Sequence, residues 1–119
     1  MRSAPPSYAR RGVAALLLLL AAAEGTATLH LLDEARFPHA RCLDGSNAGY
    51  YYRKGNSNFV INLEGGGECV TQSSCASRAN SSLGSSNFFE KSKTLIQIQS
   101  ELEPVFGGFS QIFVPYCGG

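Results

Sequence analysis

This 119-residue chain contains few residues of several types that often form functional sites. It has no tryptophan, one methionine and two histidines, and only 16% of its residues are charged. The ten basic residues are scattered rather than clustered, so we expect no nucleic-acid partner. The main apolar run, residues 13–23, is shorter than the roughly 20 residues that a membrane-spanning helix needs.

A recognisable catalytic serine is also missing. No serine lies in the G-x-S-x-G sequence that presents the nucleophile of an α/β-hydrolase. His30 and His39 precede the candidate serines, whereas those enzymes carry Ser, then Asp or Glu, then His along the chain. We therefore expect both histidines to be solvent-facing or satisfied polar residues. We interpret Ser46, in the sequence Asp44-Gly45-Ser46, as part of a turn.

The first 25 residues are typical of a secretory signal peptide. Arg2, Arg10 and Arg11 precede the apolar run, and small residues follow it. Cleavage would leave a domain of residues 26–119 with seven basic and eight acidic residues. We expect this domain to be secreted, to the extracellular space or the cell wall, and to have no membrane partner after cleavage.

Four cysteines, at positions 42, 69, 75 and 117, lie in that domain. In an oxidising compartment an even number of cysteines predicts two disulfides, for which three pairings are possible. The cysteines lack the C-x-x-C spacing of a zinc site, and neither histidine completes a ligand pattern. We therefore expect no metal.

Apolar and aromatic runs separated by turn residues predict several strands. Residues 48–53 and 59–63 are strand candidates, and the turn residues between them predict a hairpin. The second run is almost continuously apolar, as in a strand buried on both faces. Residues 111–116 predict another buried strand, and the Ser- and Asn-rich residues 71–86 predict at most a short helix.

The sequence does not decide the secondary structure of two segments. Residues 28–32 fit a short strand or a continuation of the leader, and residues 94–102 fit either a helix or a strand. Tyr50, Tyr51 and Tyr52 predict a strand that alternates between core and surface, which we prefer to a pocket for a carbohydrate or an acyl group.

The most informative segment is residues 63–69 (LEGGGEC), in which three glycines follow a strand candidate. Glycines let backbone N–H groups approach a ligand closely because no Cβ blocks the way. In esterases and lipases, such a turn after an early central strand supplies one N–H of the oxyanion hole. On the glycines alone, a tight turn without a ligand is the better interpretation.

Neighbouring motifs reverse that preference. They are residues 42–51 (CLDGSNAGYY), Cys75, residues 83–86 (LGSS) and residues 114–117 (VPYC). In this order and at these separations, residues 41–117 resemble the pectin acetylesterase family, which includes the Notum-type carboxylesterases. The resemblance implies an α/β fold, namely the N-terminal portion of an α/β-hydrolase with a hairpin and the first parallel strands. It also implies ester hydrolysis by a Ser/Asp/His triad without a metal or another cofactor.

The same resemblance implies roles for particular residues. It implies the disulfides Cys69–Cys75 and Cys42–Cys117. It places the oxyanion hole at Gly65, Gly66 and Gly67, with the N–H groups of Gly66 and Gly67 as the best candidates.

Two glutamates flank these glycines. We expect Glu64 to accept N–H bonds from the loop and hold the turn rather than transfer a proton. Glu68 departs from the aromatic residue of many relatives, so it either faces solvent or opposes negative charge in the oxyanion hole. No catalytic residue is expected within this chain, and the triad is expected downstream of Gly119.

The substrates implied are an acetylated polysaccharide such as pectin, or an acylated protein. Because the triad is absent, the alternative is a non-catalytic secreted fragment, stabilised by disulfides, with a binding or regulatory role, or a truncated gene product. Asn80-Ser81-Ser82 is a predicted N-glycosylation site in a polar segment.

Overall fold

Runs rich in β-branched and aromatic residues form the strands of one mixed sheet. The computed structural model describes residues 26–94 and 106–119. The strands are β1 (Thr26–Leu31), β2 (Gly49–Arg53), β3 (Phe59–Leu63), β4 (Ser92–Thr94) and β5 (Ser110–Val114). Residues 28–32 therefore belong mainly to a strand. The predicted signal peptide and residues 95–102 lie outside the described residues.

The strand order in the sheet is β3-β5-β2-β1-β4. β3 and β5 run parallel, with Phe59 opposite Ser110 and Leu63 opposite Val114. The other neighbouring strands are antiparallel. The predicted hairpin of β2 with β3 is wrong, because β5 lies between them. The antiparallel pair that precedes the parallel strands is β1 with β2.

Hydrogen bonds explain why the turn between β2 and β3 does not close a hairpin. The N–H of Gly55 donates to Ser110 Oγ at 3.0 Å, and the N–H of Asn56 donates to Gly108 O at 2.8 Å. Ser110 Oγ in turn donates to Asn56 O at 2.8 Å. The turn thus bonds to a segment about 55 residues further along the chain, which local sequence does not specify.

One face of the sheet carries the core. Ala27, Tyr51 and Phe113 form a buried cluster on which Leu29 packs. The ammonium of Lys93 lies 4.6 Å from the Phe113 ring centroid, a distance at which a cation is attracted to the aromatic face. The core is therefore built mainly from β1, β2 and β5.

The three consecutive tyrosines of β2 alternate as predicted. Tyr51 is 2% exposed, its hydroxyl donates to Glu90 O at 2.9 Å, and burial raises its pKa. Tyr50 and Tyr52 are only partly buried and line the opposite face.

That opposite face is open in the part of the chain that the structure describes. Phe59, Ile61 and Leu63 of β3 are 58%, 62% and 72% exposed. With the side chains of the neighbouring strands, Phe59 and Ile61 line an open apolar groove of about 460 Å³. The prediction that β3 is buried on both faces is therefore wrong for the described residues. β3 is an edge strand, and no described helix covers it.

Residues 71–86, for which at most a short helix was predicted, contain α1 (Gln72–Ala79). Thr71 caps it: Thr71 Oγ1 accepts the Ser74 N–H at 3.1 Å, and Ser74 Oγ accepts the Thr71 N–H at 3.0 Å. This capping box satisfies two donors at the start of the helix. No α1 residue is buried, so the disulfide at Cys75 attaches the helix more firmly than its packing does. A 3-10 turn, Ser86–Phe88, follows it.

Candidate functional site

The carboxyl ends of the parallel strands β3 and β5 bring two loops together. Residues 64–69, called here the glycine loop, follow β3, and Pro115, Tyr116 and Cys117 follow β5. In open α/β sheets, ligands bind at this end of the strands because loops from neighbouring parallel strands meet there. This edge is therefore the candidate functional site.

Glu64 joins the two strand ends. Its N–H donates to Val114 O at 2.9 Å, and its carboxylate oxygen Oε2 accepts the N–H of Tyr116 at 2.9 Å. The expectation that Glu64 holds the turn through backbone N–H bonds is correct in kind. The donor, however, comes from the end of β5 and not from the glycine loop.

The glycines of this loop meet very different surroundings. A Cβ added to Gly66 would lie 2.1 Å from Cδ1 of Tyr116, so only glycine fits against that ring without movement. Gly67 has a φ of +102°, which L residues with a side chain rarely adopt. A Cβ on Gly65 would meet no atom within 4 Å. Two of the three glycines are thus required by local geometry.

The N–H groups of Gly65, Gly66 and Gly67 make no hydrogen bond to residues 26–94 or 106–119. All three glycines are exposed. Consecutive donors without a protein acceptor are available to an anionic ligand, provided that the loop keeps them in one orientation. Donors that are free of protein acceptors are one requirement of an oxyanion hole.

Sequence reasoning missed two residues that contact the glycine loop. The hydroxyl of Tyr116 donates to Gly67 O. Arg78 of α1 places its guanidinium 5.8 Å from the Tyr116 ring centroid and donates from Nη2 to Glu68 O at 3.5 Å. The VPYC motif contains Tyr116 and pointed to its location, whereas nothing in the sequence singled out Arg78.

Glu68, the residue that departs from many relatives, is exposed. Of the two expectations for its position, the structure therefore favours the solvent-facing one. Its backbone carbonyl, not its carboxylate, is the group that contacts Arg78.

Both disulfides implied by the family resemblance are present. Cys42 is bonded to Cys117, directly after the strand end that carries Tyr116. Cys69 is bonded to Cys75, which ties the end of the glycine loop to α1. The two bridges thus attach the residues after β5 to one loop and the glycine loop to the helix.

The turn at Asp44 is structural, as predicted. Asp44 Oδ1 accepts the Ser46 N–H at 2.9 Å and also the Ser46 hydroxyl, and Ser46 Oγ accepts the N–H of Ser86 at 3.0 Å. Hydrogen bonds to the Asp44 carboxylate, first from the Ser46 hydroxyl and then from the Ser85 side chain, lower the pKa of Asp44. Ser46 is therefore occupied by structural hydrogen bonds.

The remaining candidate residues lie on the surface. His30 and His39 are exposed, as expected, and His30 stacks on Tyr50 with ring centroids 5.3 Å apart. Asn80 is exposed at the end of α1 and donates from Nδ2 to Ala76 O at 3.1 Å. Its glycosylation stays a prediction.

The described residues contain neither a membrane-spanning helix nor a cluster of metal ligands. No helix in residues 26–94 or 106–119 is long and apolar enough to cross a membrane. Across the same residues, no three His, Cys, Asp or Glu side chains cluster in a way that would hold a metal ion.

Comparison with known proteins places this geometry in a family. The family model described as Pectinacetylesterase matches residues 20–119. The chain belongs to the pectinacetylesterase family. Pectin acetylesterase 4 of Arabidopsis thaliana is 39% identical over 98 residues, which cover 76% of this chain and 24% of that protein. The palmitoleoyl-protein carboxylesterase NOTUM of Homo sapiens is 34% identical over 96 residues, covering 75% of this chain and 19% of that protein.

A solved structure supports the same conclusion for the fold. The Wnt deacylase Notum from Drosophila matches 77% of this chain and 28% of its own, with 28% identity and a TM-score of 0.63. The predicted fold class, part of an α/β-hydrolase, is thus confirmed for this pectinacetylesterase chain. The chain spans between about a fifth and just over a quarter of the length of these relatives.

Proposed function

We propose that this chain is the N-terminal part of a secreted serine-type carboxylic ester hydrolase and that its glycine loop supplies the oxyanion hole. The observation that carries the proposal is the set of backbone N–H groups at Gly65, Gly66 and Gly67. They lie at the carboxyl end of a parallel strand pair and have no acceptor among the described residues. The family membership supports this assignment.

In the proposed reaction, a serine hydroxyl attacks the carbonyl carbon of the ester, and the carbonyl oxygen becomes an oxyanion. The N–H groups of Gly66 and Gly67 donate hydrogen bonds to that oxygen. In comparable hydrolases, each such donor stabilises the transition state by about 3–4 kcal/mol. The serine, its histidine base and the acidic residue would come from sequence beyond residue 119, because residues 1–119 contain no G-x-S-x-G motif.

The proposed substrate is an ester of a carboxylic acid carried by a larger molecule. Two relatives bear names for two such classes: the Arabidopsis protein is a pectin acetylesterase, and the human protein is a palmitoleoyl-protein carboxylesterase. We favour deacetylation of a pectin-like polysaccharide or a related O-deacylation. The two disulfides support an oxidising, extracellular location.

The test is to sequence the transcript through codon 119 and assay the secreted product. We expect the reading frame to continue into a G-x-S-x-G serine followed by Asp and His. The product should then release acid from p-nitrophenyl acetate and from acetylated pectin, and the 119-residue chain, used as the matched control, should not. Parallel assays with a long-chain acyl ester separate the two substrate classes.

A stop codon directly after Gly119 would exclude catalysis by a triad. The alternatives would then be a non-catalytic secreted fragment stabilised by two disulfides, with a binding or regulatory role, or a truncated gene product. Binding of the secreted chain to acetylated pectin, measured against de-acetylated pectin, would be the next measurement.

A further inference from the structure

Tyr116 contacts the glycine loop in two separate ways. Its ring packs against Gly66 so closely that an added Cβ would lie 2.1 Å from Cδ1. Its hydroxyl donates to the carbonyl oxygen of Gly67. Its own N–H is held by the carboxylate of Glu64 at 2.9 Å. The side chain of Tyr116 thus contacts two successive residues of the loop, and the bond to Glu64 holds its backbone.

These contacts restrict the direction of two of the loop's donors, the N–H groups of Gly67 and Glu68. In a trans peptide, the carbonyl and the following N–H lie in one plane and point in opposite directions, and the described residues contain no cis peptide. With the Gly67 carbonyl bound to Tyr116, the N–H of Glu68 must point away from that ring. The N–H of Gly67 lies between the packed Gly66 and the bound carbonyl, so its direction is restricted as well.

Such restriction matters because glycine has the largest conformational freedom of any residue. Without contacts to other residues, the N–H groups of three consecutive glycines would sample many orientations. An oxyanion hole is effective when its donors already have the right direction, since no reorganisation is then needed during the reaction. Contacts from outside the loop are therefore needed to fix its N–H groups in one orientation, and Tyr116 makes such contacts.

We propose that Tyr116 is a positioning residue that keeps the N–H groups of the glycine loop in the orientation of an oxyanion hole. It acts through Gly66 and Gly67 and does not touch the reacting atoms. The part of this inference that concerns catalysis rests on the proposed function. Arg78 supports the arrangement from the helix side, because its guanidinium lies 5.8 Å from the Tyr116 ring centroid and donates to Glu68 O.

The first test is Tyr116→Phe in the isotopically labelled secreted product, at the full length that the transcript defines. The variant keeps the ring and removes only the hydroxyl. We expect the NMR order parameters of the Gly67 and Glu68 amides to fall from about 0.85, typical of rigid backbone, to below about 0.6. The carbonyl signal of Gly67 should shift because its hydrogen bond is lost. Unchanged order parameters would overturn the proposal, whether or not the carbonyl signal moves.

Tyr51→Phe is the matched control. Tyr51 also donates its hydroxyl to a backbone carbonyl, Glu90 O, at 2.9 Å, but it lies in the core. We expect this variant to leave the Gly67 and Glu68 signals in place. If both variants loosen the loop equally, the effect is a general loss of stability and the proposal is wrong.

The second test measures catalysis in the full-length product defined by the transcript. Tyr116→Phe should lower kcat by about 10- to 100-fold, less than the 100- to 1,000-fold loss for a deleted donor, and should leave KM nearly unchanged. An unchanged kcat would overturn the catalytic role of Tyr116 while the esterase assignment stands. An inactive wild-type product would instead refute the proposed function, and the NMR measurement would still decide whether Tyr116 orients the loop.

Discussion

Two glycine-containing loops contact the residues that follow β5, and they differ in how their backbone donors are used. In the Asp44 turn, the N–H groups of residues 43, 44, 45 and 46 all have acceptors: Cys117 O, Gly84 O, Cys42 O and Asp44 Oδ1. In the glycine loop, the five consecutive N–H groups of residues 65–69 have none among the described residues. A loop that satisfies its own donors is complete as structure. One that leaves them exposed and oriented has donors available for a ligand.

The largest expected effect is the loss of stability on removing the two disulfides that hold these loops, and the loss should differ between them. Removing Cys42–Cys117 (Cys42→Ala with Cys117→Ala) should lower the free energy of unfolding by about 4.5 kcal/mol, and removing Cys69–Cys75 by about 2 kcal/mol, on the chain-entropy account. The difference arises because the bridged residues are 75 and 6 apart in sequence. Denaturant unfolding of both double variants measures it. Equal losses would show that native-state contacts, not loop length, determine the stabilisation.

The next effect distinguishes neighbouring glycines of the same loop. Gly66→Ala places a Cβ 2.1 Å from the Tyr116 ring and should lower the free energy of unfolding by about 1–3 kcal/mol through overpacking. Gly65→Ala is the control, because its Cβ would meet no atom within 4 Å. It should change stability by no more than about 0.5 kcal/mol. Thermal unfolding of the two variants decides the matter, and similar losses would mean that Tyr116 does not pack against Gly66 in solution.

A third pair compares the loops directly. Gly45 and Gly67 have φ values of +87° and +102°. Replacing either with alanine should lower the free energy of unfolding by about 1–2 kcal/mol, because both backbones are unfavourable for a residue with a Cβ. Only Gly67→Ala should also reduce the proposed esterase activity, since Gly45 lies in the turn whose donors are satisfied. Equal activity losses would remove the functional difference between the loops.

Ser46→Ala tests whether the Asp44 turn is only structural. The substitution removes the hydroxyl that accepts the Ser86 N–H and donates to Asp44. We expect a loss of about 1 kcal/mol in the free energy of unfolding and no change in esterase activity of the full-length product. An inactive variant with normal stability would mean that Ser46 takes part in the chemistry and that its interpretation as a turn residue is incomplete.

Local residue chemistry predicted much of this arrangement. The Asp-Gly-Ser turn and the alternation of the tyrosines follow from interactions within a few residues. Three glycines at the end of an apolar run located the glycine loop, but only the neighbouring family motifs favoured an oxyanion hole over a tight turn without a ligand. The two disulfides came from the family resemblance, since spacing alone left three pairings open.

Long-range partners were not predictable from the sequence. Turn residues before β3 indicated a hairpin, yet Gly55 bonds to Ser110, and β5 occupies the position beside β2. The apolar run of β3 indicates a surface that is buried against another element, but it does not indicate which element. Arg78 was missed for a similar reason: an arginine near a helix end is common, and only the fold places it beside Tyr116.

The smallest expected effect concerns the pH dependence of stability in the Asp44 turn. The pKa of Asp44 is lower in the folded chain than its ordinary value, first because the Ser46 hydroxyl donates to the carboxylate. Its contribution to stability is therefore present above about pH 4, where the unfolded chain is also ionised, and is lost as the pH falls through the folded pKa. Asp44→Asn keeps the shape of the side chain but does not titrate, so its melting temperature should decline less steeply than that of the wild type from about pH 5 to pH 2.

Ser46→Ala provides the intermediate case for this measurement. Without the hydroxyl, the carboxylate of Asp44 keeps the Ser46 backbone N–H at 2.9 Å but loses the largest cause of its lowered pKa. Its acid sensitivity should fall between those of the wild type and Asp44→Asn. Parallel curves for all three proteins would show that Asp44 is not stabilised as a carboxylate in the fold. The turn would then depend on backbone bonds alone, and the contrast with the glycine loop would be one of backbone geometry rather than of side-chain hydrogen bonding.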